Sequence, residues 1–450
     1  MALRSAAPAL LVFVAARLCG ALVALVVCLL GDLPAYDHLL RIWDAPWYQH
    51  IAEHGYGAVR RSSHYPDLLY RDVAFFPLYP ALIRTLAFLL PLSVPVAALL
   101  LSLAAGLLAV WGVHALGVRL CGRPTALALA TLWVLLPHAV VLSVPYSESL
   151  LTACAVWSLY ALLTGRWVWA GALAALAGLA RPNGAAVAAA VCLYGLWVLW
   201  SRRRRRASWP DKRRRPGPSR LWLGRLRLAH FPGLPGLPRL PRLPRLPRLP
   251  APRALRRLSG WARTPEPSLR PAVPGPHPGA ARVWAGTLLA PAGWTGYVLY
   301  VGARQGDLVG GYFAVQDDWG SSFDFGQRMM QLVDRLEIGT TRWLYVVALL
   351  VLIGALALFT TLLTRRWAAL PGALVVYAGV LVLIAVGGSS YVSCKPRFLL
   401  PAFPLLLPAA AFLARTARTR PRAATVFVVV LAGFSAGYGA YLLTGASAAL

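Results

Sequence analysis

Long apolar runs separated by short polar connections recur along the whole chain. A helix crossing a bilayer needs roughly 20 apolar residues, and about eleven such runs are legible. They lie near Pro8–Leu30, Val94–Val118, Thr125–Leu142, Leu150–Thr164, Trp167–Leu179, Ala185–Trp200, Trp284–Val301, Trp343–Leu363, Leu370–Val386, Phe398–Ala414 and Thr425–Leu443. The first run imitates a signal peptide. It is long for one and has no clean A-x-A cleavage site, so it reads as the first span. Phe75–Leu90 carries Pro77, Pro80 and Arg84 and reads either as a crossing or as an interfacial or re-entrant segment. The pattern predicts an all-α polytopic membrane protein with about 11 transmembrane helices.

Composition agrees with the pattern. Hydrophobic residues make up 58% of the 450 and charged residues only 13%, with a mean hydropathy of +0.61; a soluble chain of this length needs far more polar surface. The net charge of +30 would ordinarily point to nucleic acid, but 22 of the 45 Lys and Arg fall between Ser201 and Arg282, against Asp211 and Glu266 alone. A charge concentrated between two membrane runs argues for a cytoplasmic loop and against a nucleic-acid partner. Residues 201–282, with their Pro-Arg-Leu repeats over Pro238–Pro250, read as a disordered basic insert. Such an insert suits anionic lipid head groups, or is a low-complexity loop without a specific role. It separates an N-terminal membrane module, 1–200, from a C-terminal one, 283–450.

Short basic connections at Arg119–Arg123, Gly165–Arg166, Arg365–Arg366 and Arg415–Arg422 belong on the insert's side by the positive-inside rule. That leaves Gly31–Ala74, Ser143–Glu148, Leu179–Gly184, Arg304–Arg342 and Gly388–Arg397 on the extracytoplasmic side. The polar residues of these loops are few. In the first loop, 32–74, Asp44 sits between Trp43 and Trp47, where it reads as a general base or as a helix N-cap. The two tryptophans suit an interfacial belt or a surface for a sugar ring. Glu148 reads as an acceptor-binding carboxylate or as an acid favouring a helix N-terminus. Arg181 and the pair Lys395 and Arg397 are cations at membrane depth or at a helix start. They suit an external anion such as phosphate, or carboxylates inside the bundle. Arg17, inside the first span, reads as part of a structural pair. Gln316 and Trp319 mark a polar stretch in a later loop, able to hold acceptor groups or to be solvated.

Several chemistries lack a sequence signal. There is no Walker A loop, no G-x-G-x-x-G after a strand, no H-E-x-x-H and no Asp-x-Asp, so neither a nucleotide cofactor nor a zinc or nucleotide-sugar metal site is supported. The six cysteines show no C-x-x-C spacing and read as core thiols.

The ordered set Trp43-Asp44, Ile51-Ala-Glu53-His-Gly-Tyr56, Ala74-Phe-Phe-Pro77, Tyr146-Ser-Glu148-Ser149, Arg181-Pro-Asn183-Gly184, Arg397-Phe398 and Pro401-Ala-Phe-Pro404 resembles the PIG-V-like family of membrane mannosyltransferases. The eukaryotic member of that family is GPI mannosyltransferase II. The resemblance implies a GT-C glycosyltransferase fold with its catalytic carboxylate in the first extracytoplasmic loop, here Asp44. It implies a polyprenyl- or dolichyl-phosphate mannose donor, no bound cofactor, and an inverting transfer in the cell membrane. Arg181, Lys395 and Arg397 would then hold the donor phosphate. Trp43, Trp47, Glu53, Tyr146, Glu148, Asn183, Gln316 and Trp319 would contact substrate or a glycan or glycolipid acceptor. The basic insert departs from the family pattern. The Ala- and Arg-rich composition suits a GC-rich bacterium, which leaves the acceptor open. Metal dependence is open too. Rival readings are a relative using another lipid-linked sugar, a transporter or flippase for a lipid-linked glycan, and a non-catalytic membrane scaffold.

Overall fold

The computed structural model describes residues 2–61, 69–207, 279–327, 342–389 and 392–445. Helix α1 (Ala2–Leu30) leads into the first loop, which holds α2 (Ala35–Leu40), α3 (Ala45–His54) and a small hairpin of β1 (Val59–Arg61) and β2 (Leu69–Arg71). The hairpin is antiparallel and pairs Arg60 with Tyr70. Next come α4 (Leu78–Leu89), α5 (Val94–Cys121), α6 (Arg123–Val134), α7 (Glu148–Leu163), α8 (Trp167–Ala180) and α9 (Ala185–Ala207). After residue 278 follow α10 (Ala280–Leu289), α11 (Ala292–Arg304) and α12 (Gly311–Asp318). The remainder is α13 (Arg342–Leu362), α14 (Gly372–Gly387), α15 (Lys395–Leu399), α16 (Leu407–Thr419) and α17 (Pro421–Thr444). The all-α polytopic expectation holds. Most of the span of the basic insert, 208–278, lies outside the described residues, and with it the expectation of disorder there.

Among the described residues, five helical stretches are long and apolar enough to cross a membrane: four within α1, α5, α13 and α17, and Pro182–Arg204, which includes most of α9. Helices α7, α8 and α14 are apolar but have 16, 14 and 16 residues. At 1.5 Å per residue they rise about 21–24 Å, short of a hydrocarbon core of roughly 30 Å. Three expected runs are interrupted. The run Thr125–Leu142 stops at Val134 and resumes as a 3-10 turn over Ala139–Ser143, past Pro137. Trp284–Val301 divides into α10 and α11 around Pro291. Phe398–Ala414 contains two breaks, near Pro401 and Pro404. Proline removes a backbone donor and crowds the preceding turn, so an apolar run can satisfy hydropathy and still not be one helix. The ambiguous Phe75–Leu90 contains α4, whose 12 residues rise about 18 Å and do not span a bilayer alone.

A break inside an apolar run frees backbone carbonyls, and after α6 and α15 buried donors collect them. Trp133 Nε1 donates to Leu400 O at 2.9 Å, Tyr377 OH to Pro401 O at 3.0 Å and Ser435 Oγ to Leu136 O at 3.1 Å. Arg17 serves the break after α6: its guanidinium donates to Val134 O at 2.8 Å, to Ala139 O, and to Ser143 Oγ at 3.0 Å. The structural role read for Arg17 takes the form of a cation at a helix C-terminus, where the orphan carbonyls carry partial negative charge.

Residues before Ser201 and after Glu266 pack as one unit. Close contact is made by small residues on α8. A Cβ on Gly171 or Gly178 would run into the backbone of Gly286 on α10 or Trp294 on α11, which is how membrane helices approach tightly. Helices α7 and α8 form a hairpin whose turn carries Arg166, and Arg119 at the end of α5 donates to Leu163 O there at 3.1 Å. The open end of that hairpin carries Glu148 and Arg181.

Replacing Arg17 by Met strips two buried carbonyls of their donor. A stability loss on the order of 2 kcal/mol is expected, read as a lower thermal midpoint of the purified protein. Arg17→Lys is expected to recover part of it, since one ammonium reaches fewer acceptors than the guanidinium fork.

Candidate active site

Four chain breaks converge on one cavity of about 670 Å³. The first is the entry to α3. Trp43 adopts a left-handed backbone, φ 54°, at a cost of about 1–3 kcal/mol for a bulky residue. Its ring packs edge-on against Tyr146 at 6.0 Å. Asp44 follows at the N-cap position of α3, but its side chain makes no capping hydrogen bond. Its backbone N–H donates to Tyr146 OH at 2.7 Å, and its carboxylate lines the cavity. The capping explanation for Asp44 therefore fails on geometry.

The second break, Val144–Ser147, delivers Glu148 to the first turn of α7. The third is Arg181-Pro182. A residue before proline is driven to extended backbone, and Arg181 has φ −160° and ψ 158°, turning its side chain out of the helix path. The fourth is the turn before α15, which presents Arg397.

These side chains form a continuous charged network. Arg397 Nη1 lies 3.0 Å from Asp44 Oδ2, Arg397 Nε 3.3 Å from Glu148 Oε1, and Arg181 Nη1 2.9 Å from the same Glu148 oxygen. Arg181 also donates to Ser147 Oγ at 3.0 Å, and Ser147 pairs with Tyr48 OH at 2.8 Å. The Arg397 guanidinium lies 5.3 Å from the Tyr146 ring centre. Burial by itself would lower the Arg397 pKa, but Asp44, Tyr146 and Glu148 outweigh it and hold the group well above its ordinary value. At Arg181 burial likewise pulls down, and Glu148 raises the net pKa. Both arginines are therefore permanent cations. Tyr48 is pushed up to about 12, chiefly by burial, and stays a neutral hydroxyl at physiological pH.

Aromatic rings form another wall. Trp47 stacks on Phe75 at 5.9 Å and meets Trp319 edge-on at 5.1 Å, while Arg60 covers Trp47 at 4.8 Å. Gln316 Nε2 donates to Ala74 O at 3.0 Å and Trp319 Nε1 to Arg71 O at 3.1 Å. The loop after α11 is thereby tied to the first loop, and the Gln316 amide N–H groups serve the protein itself. Asp72 fixes the first loop by accepting from Gly57 and Ala58 N–H at 2.8 and 2.7 Å.

Of the residues read from the sequence, Asp44, Arg181, Asn183, Gln316, Trp319 and Arg397 line the cavity. Tyr146 and Glu148 are buried and hold those residues from behind, and Trp43 and Trp47 pack beside them. Two candidates stand apart. Lys395 is buried and spends its ammonium on Gly388 O at 2.7 Å; it is not among the lining residues. Glu53 is 46% exposed, faces outward and lies 3.9 Å from His54. Both arginines meet carboxylates inside the bundle, as one of the two sequence readings held. Tyr48, Ser147 and Tyr312 belong to the site without having been singled out. Tyr48, four positions after Asp44 on one helix, was the one with a usable spacing signal. Among the described residues, no three His, Cys, Asp or Glu side chains are grouped to hold a metal ion.

Comparison with known families gives one match. Residues 34–204 match the family described as mannosyltransferase (PIG-V). The resemblance read from the motifs is borne out over this stretch. The stretch contains Asp44, Tyr146, Glu148 and Arg181. Arg397, which closes the network, lies beyond the matched residues. No curated protein and no solved structure matches the chain.

Glu148 is the shared anion of two buried cations, so Glu148→Gln is expected to cost about 3–5 kcal/mol. Thermal unfolding of the purified protein reads this. Asp44→Asn, at a more open position, is expected to cost less, and Glu53→Gln to leave the midpoint unchanged.

Proposed function

We propose that this protein transfers mannose from a polyprenyl-phosphate carrier to an acceptor hydroxyl at the extracytoplasmic face of the cell membrane, with inversion at the sugar carbon. The observation that carries the proposal is the Asp44 carboxylate. It opens on a cavity lined by two permanent cations and is not used as a helix cap. A cavity of about 670 Å³ is in the size range of small-molecule sites, and its aromatic wall suits a sugar ring.

In the proposed reaction Asp44 accepts the proton of the acceptor hydroxyl as that oxygen bonds to the sugar carbon. The bond from the sugar carbon to the phosphate oxygen breaks, and the phosphate leaves with the electron pair. Negative charge grows on the leaving phosphate, where Arg181 and Arg397 stabilise it. Phosphate leaves readily without a general acid. The side of the membrane is supported by the α7–α8 hairpin. Its turn carries Arg166 beside Arg119, and its open end carries the site, an arrangement that by the positive-inside rule supports an extracytoplasmic site.

Incubating the purified chain with a panel of polyprenyl-phosphate sugars and candidate acceptors tests the reading. Transfer from the mannosyl lipid is expected. Transport of a lipid-linked glycan across vesicles without any transfer would replace the proposal by the flippase reading. Asp44→Asn is expected to reduce turnover by on the order of 10²–10⁴, because an amide preserves shape but accepts no proton. Asn caps a helix about as well as Asp, so near-normal transfer by that variant would leave Asp44 only a structural role.

A further inference from the structure

The charges of the site balance before any substrate enters. Arg181 and Arg397 face Asp44 and Glu148, two cations against two carboxylates. Among the described residues no other Lys or Arg lines the cavity, and Asp317 adds a further carboxylate to its wall. Among the described lining residues a phosphodiester anion meets no surplus cation. To be held by a guanidinium it must displace a carboxylate, because burying a third uncompensated anion there is costly.

The two carboxylates are not equally replaceable. The Glu148 side chain is 2% exposed and lies against both arginines. The Asp44 side chain is 19% exposed, opens on the cavity and meets Arg397 through Oδ2. Arg397 has a second anchor when Asp44 leaves, whereas loss of Glu148 would strand two buried cations.

We propose that the donor phosphate takes the place of Asp44 on Arg397, so that donor binding is the event that frees the base. Glu148 is the positioning residue that keeps both guanidiniums in the cavity wall during the exchange. The inference rests on the lipid-phosphate reading above. It deepens that reading by giving the site an order: while the cavity is empty the base is engaged, and an acceptor hydroxyl meets a free carboxylate only after the donor has bound. Asp44 thus competes with the phosphate in the resting protein and serves the reaction once displaced.

The competition has a signature that ordinary binding residues do not show, since removing a cavity-lining side chain tightens binding. The experiment measures the affinity of the full-length chain in nanodiscs for a sugar-free polyprenyl phosphate, with the matching polyprenol as the uncharged control. Asp44→Asn is expected to bind the phosphate about tenfold more tightly than the wild type, the equilibrium equivalent of one charged hydrogen bond, with polyprenol binding unchanged. In an Arg397→Gln background the gain is expected to vanish. Unchanged or weaker phosphate binding by Asp44→Asn, which needs no second variant to read, overturns the exchange. A gain that persists without Arg397 overturns that residue as the point of exchange. If wild type and Asp44→Asn both bind the phosphate no better than the alcohol, the lipid-phosphate reading itself falls, and the inference with it.

Discussion

The site depends on one buried carboxylate shared by two buried guanidiniums. Arg181 and Arg397 are 7% and 6% exposed, and neither would be tolerated at such depth without an anion. Glu148 meets both, and Asp44 meets the second. Everything else about the site's geometry serves this arrangement. Pro182 sets Arg181 extended, Ser147 and Tyr48 meet the same Nη1 that faces Glu148, and Tyr146 lies under Arg397 while accepting from the backbone of Asp44. Buried ion pairs contribute little net stability relative to an apolar core of the same shape. Their presence here is better explained by what they hold ready than by what they stabilise.

A second constraint lies beneath the first. Asp44, Glu148, Arg181 and Arg397 reach one cavity from breaks between helices, and a break inside an apolar run exposes backbone groups that lipid cannot satisfy. The breaks after α6 and α15 are served by Arg17, Trp133, Tyr377 and Ser435, each donating from a distant part of the sequence. Arg17 and Glu148 illustrate one rule from opposite signs: a buried charge persists where several partners of the other polarity converge on it.

Apolar periodicity made the fold class legible, and so did the residues whose chemistry is conspicuous in an apolar chain: Asp44 among tryptophans, Arg181 before a proline, Arg397 at a helix start. Helix continuity was not legible, because hydropathy is nearly blind to a proline inside an apolar run. The stretch Thr125–Leu142 scores as one span although its chain turns at Leu135. Partner choice was not legible either. Asp44 and Arg397 are 353 positions apart, and nothing local to Lys395 distinguishes it from Arg397. The ammonium is short of the cavity and bonds Gly388 O, whereas the planar guanidinium two residues later reaches two carboxylates at once. Glu53 lies in the same motif as buried residues, but it falls on the outward face of α3, where Ala52 and Ile51 take the inward one.

The strained backbone at Trp43 connects the two constraints. A bulky residue with φ 54° persists only where its surroundings over-determine it. The indole is held edge-on to Tyr146, and the next peptide N–H is held by the Tyr146 hydroxyl. Pro46, near the start of α3, offers no N–H to a cap, and the Asp44 carboxylate meets Arg397 Nη1 at 3.0 Å. The first loop is thus shaped against the local preference of its own sequence, with Tyr146 supplying the contact that opposes that preference. Trp43 is joined to the site through this contact and is not among the residues that line the cavity.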